Sequence, residues 1–400
     1  MIETWRWFGP SDSISLQKIR QAGATGIVSS LHEVKTGEVW PLEQIQQHKT
    51  LIENAGLQWT VIESIPVHND IKTRSGNYQQ LIENYKTSII NAAKCGVYTI
   101  CYNFMPVVDW TRTNLMYKLP NNSHALRFEM TDFAAYDMYM LERKGAEQSY
   151  SASVVDKAKQ RFAAMSAYER EQLEKNIIAG LPGGEGSYTR DTIRAAIEQF
   201  IVLGTEGFRR NLFLFLQDII PVAEQVGAKM CIHPDDPPFS LFGLPRVVST
   251  ADDAKLLLAA APSPANGLTM CAGSYGARGD NNLVQMARDF GPHIYFVHLR
   301  NVIREADGSF FESDHLQGDN DMVGLVQALV DEEVRRAEAA QGQAYLSIPM
   351  RPDHGHLMDD EAGQNNVKPG YSYIGRLKGL AELRGVIHTI SSLSGLPLTK

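Results

Sequence analysis

Short β-type runs alternate with amphipathic helical patterns along most of this chain, and that alternation restricts the fold more than any other feature of the sequence. The runs are residues 3–9 (ETWRWFG), 25–30 (TGIVSS), 57–64 (LQWTVIES), 97–104 (VYTICYNF), 228–234 (AKMCIHP), 267–271 (GLTMC), 294–301 (IYFVHLRN) and 344–352 (AYLSIPMRP). Eight strands joined by crossover helices are the number that closes a parallel barrel. The first helical patterns are Ser13 to Gln21, opened by Ser11-Asp12-Ser13, and Leu42 to Asn54, started by Pro41 and stopped by Gly56. In Asn77 to Ala93, residues Leu81, Ile82, Tyr85, Ile89 and Ala93 make one apolar stripe. Asn211 to Val226, Asp280 to Phe290, Asn320 to Gln341 and Ser372 to Ile390 supply the later helices. The expected fold is α/β, a (β/α)8 TIM barrel over residues 1–400, with a doubly wound open sheet as the alternative.

The rhythm breaks over 105–204, where the pattern is helical: Phe133 to Lys144, then Ser166-Ala167-Tyr168-Glu169 as a capping box, then Thr192 to Leu203. A helical insertion after strand four emerges at the C-terminal rim of a barrel, so it is expected to form a lid or wall there. A separate helical domain used for association is the competing reading. Leu181-Pro182-Gly183-Gly184-Glu185-Gly186 is a glycine-rich turn without the context of a phosphate loop.

With 400 residues, 44% of them hydrophobic, the chain can bury a large core. Its net charge of -8, with no Lys/Arg stripe, argues against nucleic acid as a partner. The start of the chain has no basic segment followed by an apolar stretch, and no apolar run is long enough for a membrane span. A cytoplasmic homo-oligomer is expected. Cys95, Cys101, Cys231 and Cys271 lack paired spacing and suit reduced thiols rather than a disulfide framework.

Four late segments each end a β-type run with a residue able to bind a metal: His233, Cys271, His298 and Asp353. Taken singly, each has a plainer reading. Cys271 suits a small buried side chain and His298 an imidazole satisfied by a carbonyl, while His233 could brace the turn at Pro234 and Asp353 could cap the segment after Pro352. Their common position at strand ends favours one site. Strand parity puts His298 with Arg300, His233 with Asp235, and Arg351 with Asp353. Two imidazoles, a thiolate and a carboxylate suit Zn, Fe(II), Co or Mn, and residue types alone favour zinc. Arg6 and Trp7 at the end of the first strand and Asn103 at the end of the fourth lie where substrate hydroxyls would be met. Asp235 and Asp236 are candidates for holding ligands or hydroxyls, with a polar turn closed by Pro237 as the plainer reading for one of them. His124, in a loop of the insertion, either reaches substrate or is solvated.

These segments closely resemble mannonate dehydratase of the hexuronate-degrading pathway. The resemblance lies in His233-Pro234-Asp235-Asp236-Pro237-Pro238, Cys271-Ala272-Gly273-Ser274, Val297-His298-Leu299-Arg300-Asn301, Arg351-Pro352-Asp353-His354-Gly355, Pro369-Gly370-Tyr371 and the opening Thr4-Trp5-Arg6-Trp7-Phe8-Gly9, so it covers essentially the whole chain. It implies a xylose-isomerase-like TIM barrel that dehydrates a small sugar acid, D-mannonate, to 2-dehydro-3-deoxy-D-gluconate with Mn(II) or Fe(II). It also implies His233, Cys271, His298 and Asp353 as metal ligands, His354 and Tyr371 as the acid-base pair, and Arg300 on the substrate. An imidazole titrates near neutrality, whereas a phenol needs a nearby cation to act as a base, so His354 is read as base and Tyr371 as acid, with the reverse left open.

Two other readings compete. One is a metal-dependent sugar isomerase or epimerase on the same barrel; such enzymes bind metal mainly through carboxylates, which Cys271 and the arginine beside His298 count against. The other is a non-catalytic, metal-stabilised binding protein.

Overall fold

The computed structural model describes residues 1–179, 189–364 and 366–395, and the glycine-rich turn Leu181 to Gly186 lies outside them. The strands among these residues are β1 (Ile2–Arg6), β2 (Gly26–Ser29), β3 (Gln58–Glu63), β4 (Thr99–Tyr102), β5 (Asn114–Lys118), β6 (His124–Phe128), β7 (Lys229–Ile232), β8 (Asn266–Cys271), β9 (Ile294–His298), β10 (Val302–Arg304), β11 (Phe310–Glu312) and β12 (Pro349–Arg351). Eight of them close a parallel barrel in the order β1-β12-β9-β8-β7-β4-β3-β2, and these are the eight runs read from the sequence. β2, β4, β8 and β9 are buried along their whole length, which is why their sequences are mostly apolar without a regular polar alternation. Neighbouring residues on a strand serve different layers. Val28, Val61, Cys101, Cys231 and Phe296 belong to one small cluster, whereas Ile27, Ile62, Ile100, Ile232 and Val297 join the large core that includes the helices. Cys95, Cys101 and Cys231 are buried free thiols that pack.

The helices differ from the sequence reading mainly at their ends. Leu42–Asn54 matches it, while the first helix starts later, at Leu16, because Ser15 accepts the N–H of Lys18 as its cap. The patterns 192–203 and 211–226 lie in one element, Arg190–Gln225, broken at Gly204 with φ of 67°. The helix Ala251–Ala260 between β7 and β8 was not anticipated, although Thr250 and Asp253 form a capping box at its start. The capping box at Ser166 and Glu169 is present, opening the helix Ala167–Ala179.

The stretch 105–204 is not helical throughout, since it begins with the hairpin of β5 and β6 around Pro120-Asn121-Asn122-Ser123. This hairpin joins β10 and β11, which follow β9, in an antiparallel sheet ordered β10-β11-β6-β5. Phe128 on β6 packs on Phe310, Phe133 and Phe239 at ring distances of 5.8, 5.4 and 5.5 Å, so the sheet gains stability from aromatic packing that is continuous with the main core and crosses from the insertion to the loop after β9. Because β10 starts four residues after His298, the sheet is tethered to the C-terminal mouth of the barrel. Among the described residues, no helix is long and apolar enough to cross a membrane.

Candidate metal centre and active site

The C-terminal ends of parallel strands are the rim at which a barrel presents its functional side chains. Cys271 closes β8 and is in register with His298, which closes β9; His298 is in turn in register with Arg351, which closes β12. His233 follows the last residue of β7. The ligand atoms of His233, Cys271 and His298 all lie within 4.8 Å of one another, and the three residues are buried. Asp353 borders this group. Its Oδ2 is 3.8 Å from Cys271 Sγ and its Oδ1 3.8 Å from His298 Nδ1, while Arg351 donates to Oδ1 at 2.5 Å.

The hydrogen-bond pattern fits a cation between the imidazoles. Nδ1 of His233 is 2.7 Å from the carbonyl of Pro234 and so carries the proton, leaving a lone pair on Nε2. That Nε2 faces Nδ1 of His298 at 3.2 Å. Nε2 of His298 has no hydrogen-bond partner and lies 3.4 Å from Oε1 of Glu63, an arrangement that favours a proton on Nε2 and a second lone pair on Nδ1. Two lone pairs so placed repel unless a positive centre joins them. Burial lowers the pKa of His233 and, with Arg351 adding, that of His298, so both rings are held neutral as ligation requires. Burial pushes the Cys271 thiol up to about 12, against the pull of Arg300, and a bound cation would offset that cost.

Beside this cluster is a buried network of charges. Arg300 donates to Asp236 Oδ2 at 2.6 Å, to Glu312 Oε1 at 2.9 Å and to Ser274 Oγ at 3.1 Å, and its Nε lies 3.3 Å from Asp353 Oδ2. Gly273 makes room for it, because a Cβ there would collide with the guanidinium. Arg112 from the insertion pairs with Asp236 at 2.7 and 3.2 Å and with Glu312 at 3.1 Å. Burial would push the carboxyl of Glu312 up, but His354, Arg300 and Arg112 together hold it down at about 2. Asp353 is likewise held well below the carboxylate range, as Arg351, His354, His298 and Arg300 outweigh its burial. His354 stands 5.0 Å from the ring of Tyr371, whose phenol burial pushes up to about 12. The loop that carries Asp353 and His354 is seated on the last helix, Tyr373–Leu393, through backbone contact between Gly355 and Gly375. Asp353 itself adopts φ of 70°, a left-handed conformation that Asp tolerates better than most residues and that neighbouring contacts must hold.

A family model described as D-mannonate dehydratase (UxuA) matches residues 1–395. The mannonate dehydratase of Saccharophagus degradans is 73% identical over 393 residues, covering 98% of each sequence. The chain belongs to the D-mannonate dehydratase family. Mannonate dehydratase 2 of Agrobacterium fabrum is 53% identical over 98% of this chain and 97% of its own length. The crystal structure of mannonate dehydratase from Streptococcus suis serotype 2 is 33% identical, with a TM-score of 0.78 over 100% of this chain and 96% of that one.

In this member of the mannonate dehydratase family, the remaining residues singled out in the sequence divide. Arg6 is buried with Nη1 unpartnered, its guanidinium 4.7 Å over the ring of Phe8, which in turn packs edge-on against Tyr371 at 4.8 Å. Trp7 does not reach the site: its side chain stacks on His48 at 5.3 Å in the core. Asn103 folds back on its own loop, accepting the N–H of Met105 and donating to Asp109. Asp235 also departs from the expected parity with His233, because the ladder ends at Ile232 and the chain turns at Pro234. Its carboxylate accepts Val248 N–H and Ser249 Oγ, both at 2.8 Å, and braces that loop, while Asp236 enters the site. His124 lies on β6 rather than in a loop, paired through its backbone with Leu357 and half-buried in a cavity with Gly355, His356 and Gly370.

Sequence reasoning missed Glu63, Arg112 and Glu312. Glu63 carried a usable signal, an acid closing an apolar strand, the same signal that marked His298. Arg112 and Glu312 lie on the insertion and the accessory sheet, where no motif distinguishes them from solvated charges.

Proposed function

We propose that this chain dehydrates D-mannonate to 2-dehydro-3-deoxy-D-gluconate at the mouth of the barrel. The observation that carries this is the convergence of His233, Cys271 and His298 beside Arg300, His354 and Tyr371 in a chain of this family. The reaction removes a proton from the carbon beside a carboxylate, so a second negative charge develops next to the first. A divalent ion held by the three residues, with Asp353 as a fourth ligand, would supply positive charge to the carboxylate and C2 hydroxyl; Mn(II) or Fe(II) is our reading, with Co(II) or Zn(II) allowed by ligand type.

The protein groups do the rest. Arg300 places a buried guanidinium where that charge forms, and such a group is worth roughly 3 to 4 kcal/mol. Arg6, with an unpartnered nitrogen beside Phe8 and Tyr371, is a second anchor for the acid or its hydroxyls. His354 takes the C2 proton through Nε2, and Tyr371, whose phenol stays protonated, gives a proton to the departing C3 hydroxyl, each step worth roughly a hundred- to ten-thousand-fold. The segment 105–204 serves as a wall that excludes water and delivers Arg112. Purified protein incubated with Mn(II) and D-mannonate should form the 2-keto acid. Folded, metal-loaded protein that yields none would refute the reading.

A further inference from the structure

Glu312 ends β11 on the accessory sheet, outside the barrel, yet its carboxylate touches the groups that do the chemistry. Arg300 Nη1 is 2.9 Å from Oε1, and His354 Nδ1 is 2.9 Å from both oxygens. The strand is stitched to the catalytic loop a second time, by His356 Nε2 to the main-chain carbonyl of Glu312 at 3.0 Å.

An imidazole can act as a base only through the nitrogen that lacks a proton, so its tautomer matters as much as its position. Nδ1 of His354 has two neighbours with opposite demands. The carboxylate of Glu312 accepts and calls for a proton on Nδ1. The guanidinium of Arg300, whose Nη1 lies 3.2 Å from the same Nδ1, only donates and calls for a lone pair there. Charge decides the contest, because an ionised carboxylate with both oxygens 2.9 Å from Nδ1 would repel a lone pair there, whereas with the proton on Nδ1 that nitrogen and Arg300 Nη1 both donate to Oε1. The lone pair is then on Nε2, which lies on the metal-centre side, 3.7 Å from Asp353 Oδ1.

We infer that Glu312 is a positioning residue, selecting the Nδ1–H tautomer of His354 over the one Arg300 would impose, so that Nε2 presents its lone pair to the substrate. The inference rests on the reading of His354 as base. It also gives the accessory sheet a specific part in the reaction, since a loop after β9 and an insertion after β4 together hold the orienting carboxylate in place.

The test uses Zn(II)-loaded protein labelled with 15N-histidine, read by 15N NMR at a fixed pH of about 8, where free imidazole is neutral. In the wild type, His354 should show a protonated Nδ1 and a bare Nε2, and in Glu312→Ala the two should exchange. With Mn(II) and D-mannonate, Glu312→Ala should lose kcat by roughly a hundred-fold while KM stays within about threefold, the range expected for a misoriented base. Glu312→Asp keeps the charge that balances two guanidiniums but withdraws it from Nδ1 by one methylene, so it should fold, shift the tautomer balance of His354 toward the form Arg300 imposes and lose kcat by roughly ten-fold. An unchanged tautomer in Glu312→Ala, or in Glu312→Asp should the first variant not fold, overturns the inference, as does wild-type kcat in either. The NMR arm requires no turnover, so it decides the role of Glu312 separately from the identity of the substrate.

Discussion

Nε2 of His233 and Nδ1 of His298 face each other across 3.2 Å, and a proton between them leaves a bare nitrogen elsewhere, either Nε2 of His298 against the carboxylate of Glu63 or Nδ1 of His233 against the carbonyl of Pro234. A divalent ion bound between the two rings would resolve the conflict, with Glu63 fixing the ring of His298 from behind.

It follows that Glu63→Gln should weaken metal binding by roughly ten- to a hundred-fold while leaving all the direct ligands in place. Metal content after dialysis against graded chelator measures this. Equal retention by variant and wild type would show that His298 needs no such partner.

Gly273→Ala should damage activity more than stability. The added methyl meets the guanidinium of Arg300, which must shift away from Asp236 and the site. Overpacking of this kind costs about 1 to 3 kcal/mol. Loss of one charge-stabilising donor costs roughly a hundred- to a thousand-fold in rate. Urea unfolding and kcat/KM measured on the same preparation separate the two effects, and an active variant would mean that Arg300 is not needed where it stands.

Asp236→Asn should destabilise the chain by about 3 to 5 kcal/mol, because Arg112 and Arg300 would remain buried with Glu312 as their main shared counter-charge. Urea midpoints at pH 7 give the difference. A midpoint equal to that of the wild type would mean water reaches these guanidiniums.

Stability should fall between pH 6.5 and 4 in part through His48, whose Nε2 is 2.9 Å from Ser29 Oγ and whose ring packs on Trp7 and Trp59. Burial, aided by Arg6, pushes its pKa down to about 4, and burial with Arg6, His48 and Lys368 pushes that of His32 to about 3. An unfolded imidazole titrates near ~6.5. Between those values the unfolded chain binds a proton that the native chain refuses, so native stability is lost as the pH drops, by at most about 3 kcal/mol for His48. The melting temperature of His48→Gln should therefore decline less steeply over this range. Parallel curves for variant and wild type would rule out His48 as a contributor.

What could be read from the sequence was local in origin. Strand alternation and helix periodicity depend on neighbours within a few residues, so all eight barrel strands were legible, and with them the strand-end positions of His233, Cys271 and His298. The family motifs added His354 and Tyr371, which the fold brings within 5.0 Å of each other.

The tertiary structure decided everything past the last paired residue of each strand. Beyond Ile232 no ladder enforces alternation, and the turn at Pro234 sent Asp235 to the loop at Val248 and left Asp236 to meet Arg300. Trp7, whose N–H still bonds the carbonyl of Val28, keeps the alternation of β1 and packs with Trp5 in the outer core against His48, on the side opposite Arg6. Arg112 and Glu312 lie 200 residues apart and meet only because two insertions pair as one sheet across the mouth. Periodicity carries the direction of a side chain only as far as the hydrogen-bonded ladder runs; past its end, long-range contacts set that direction.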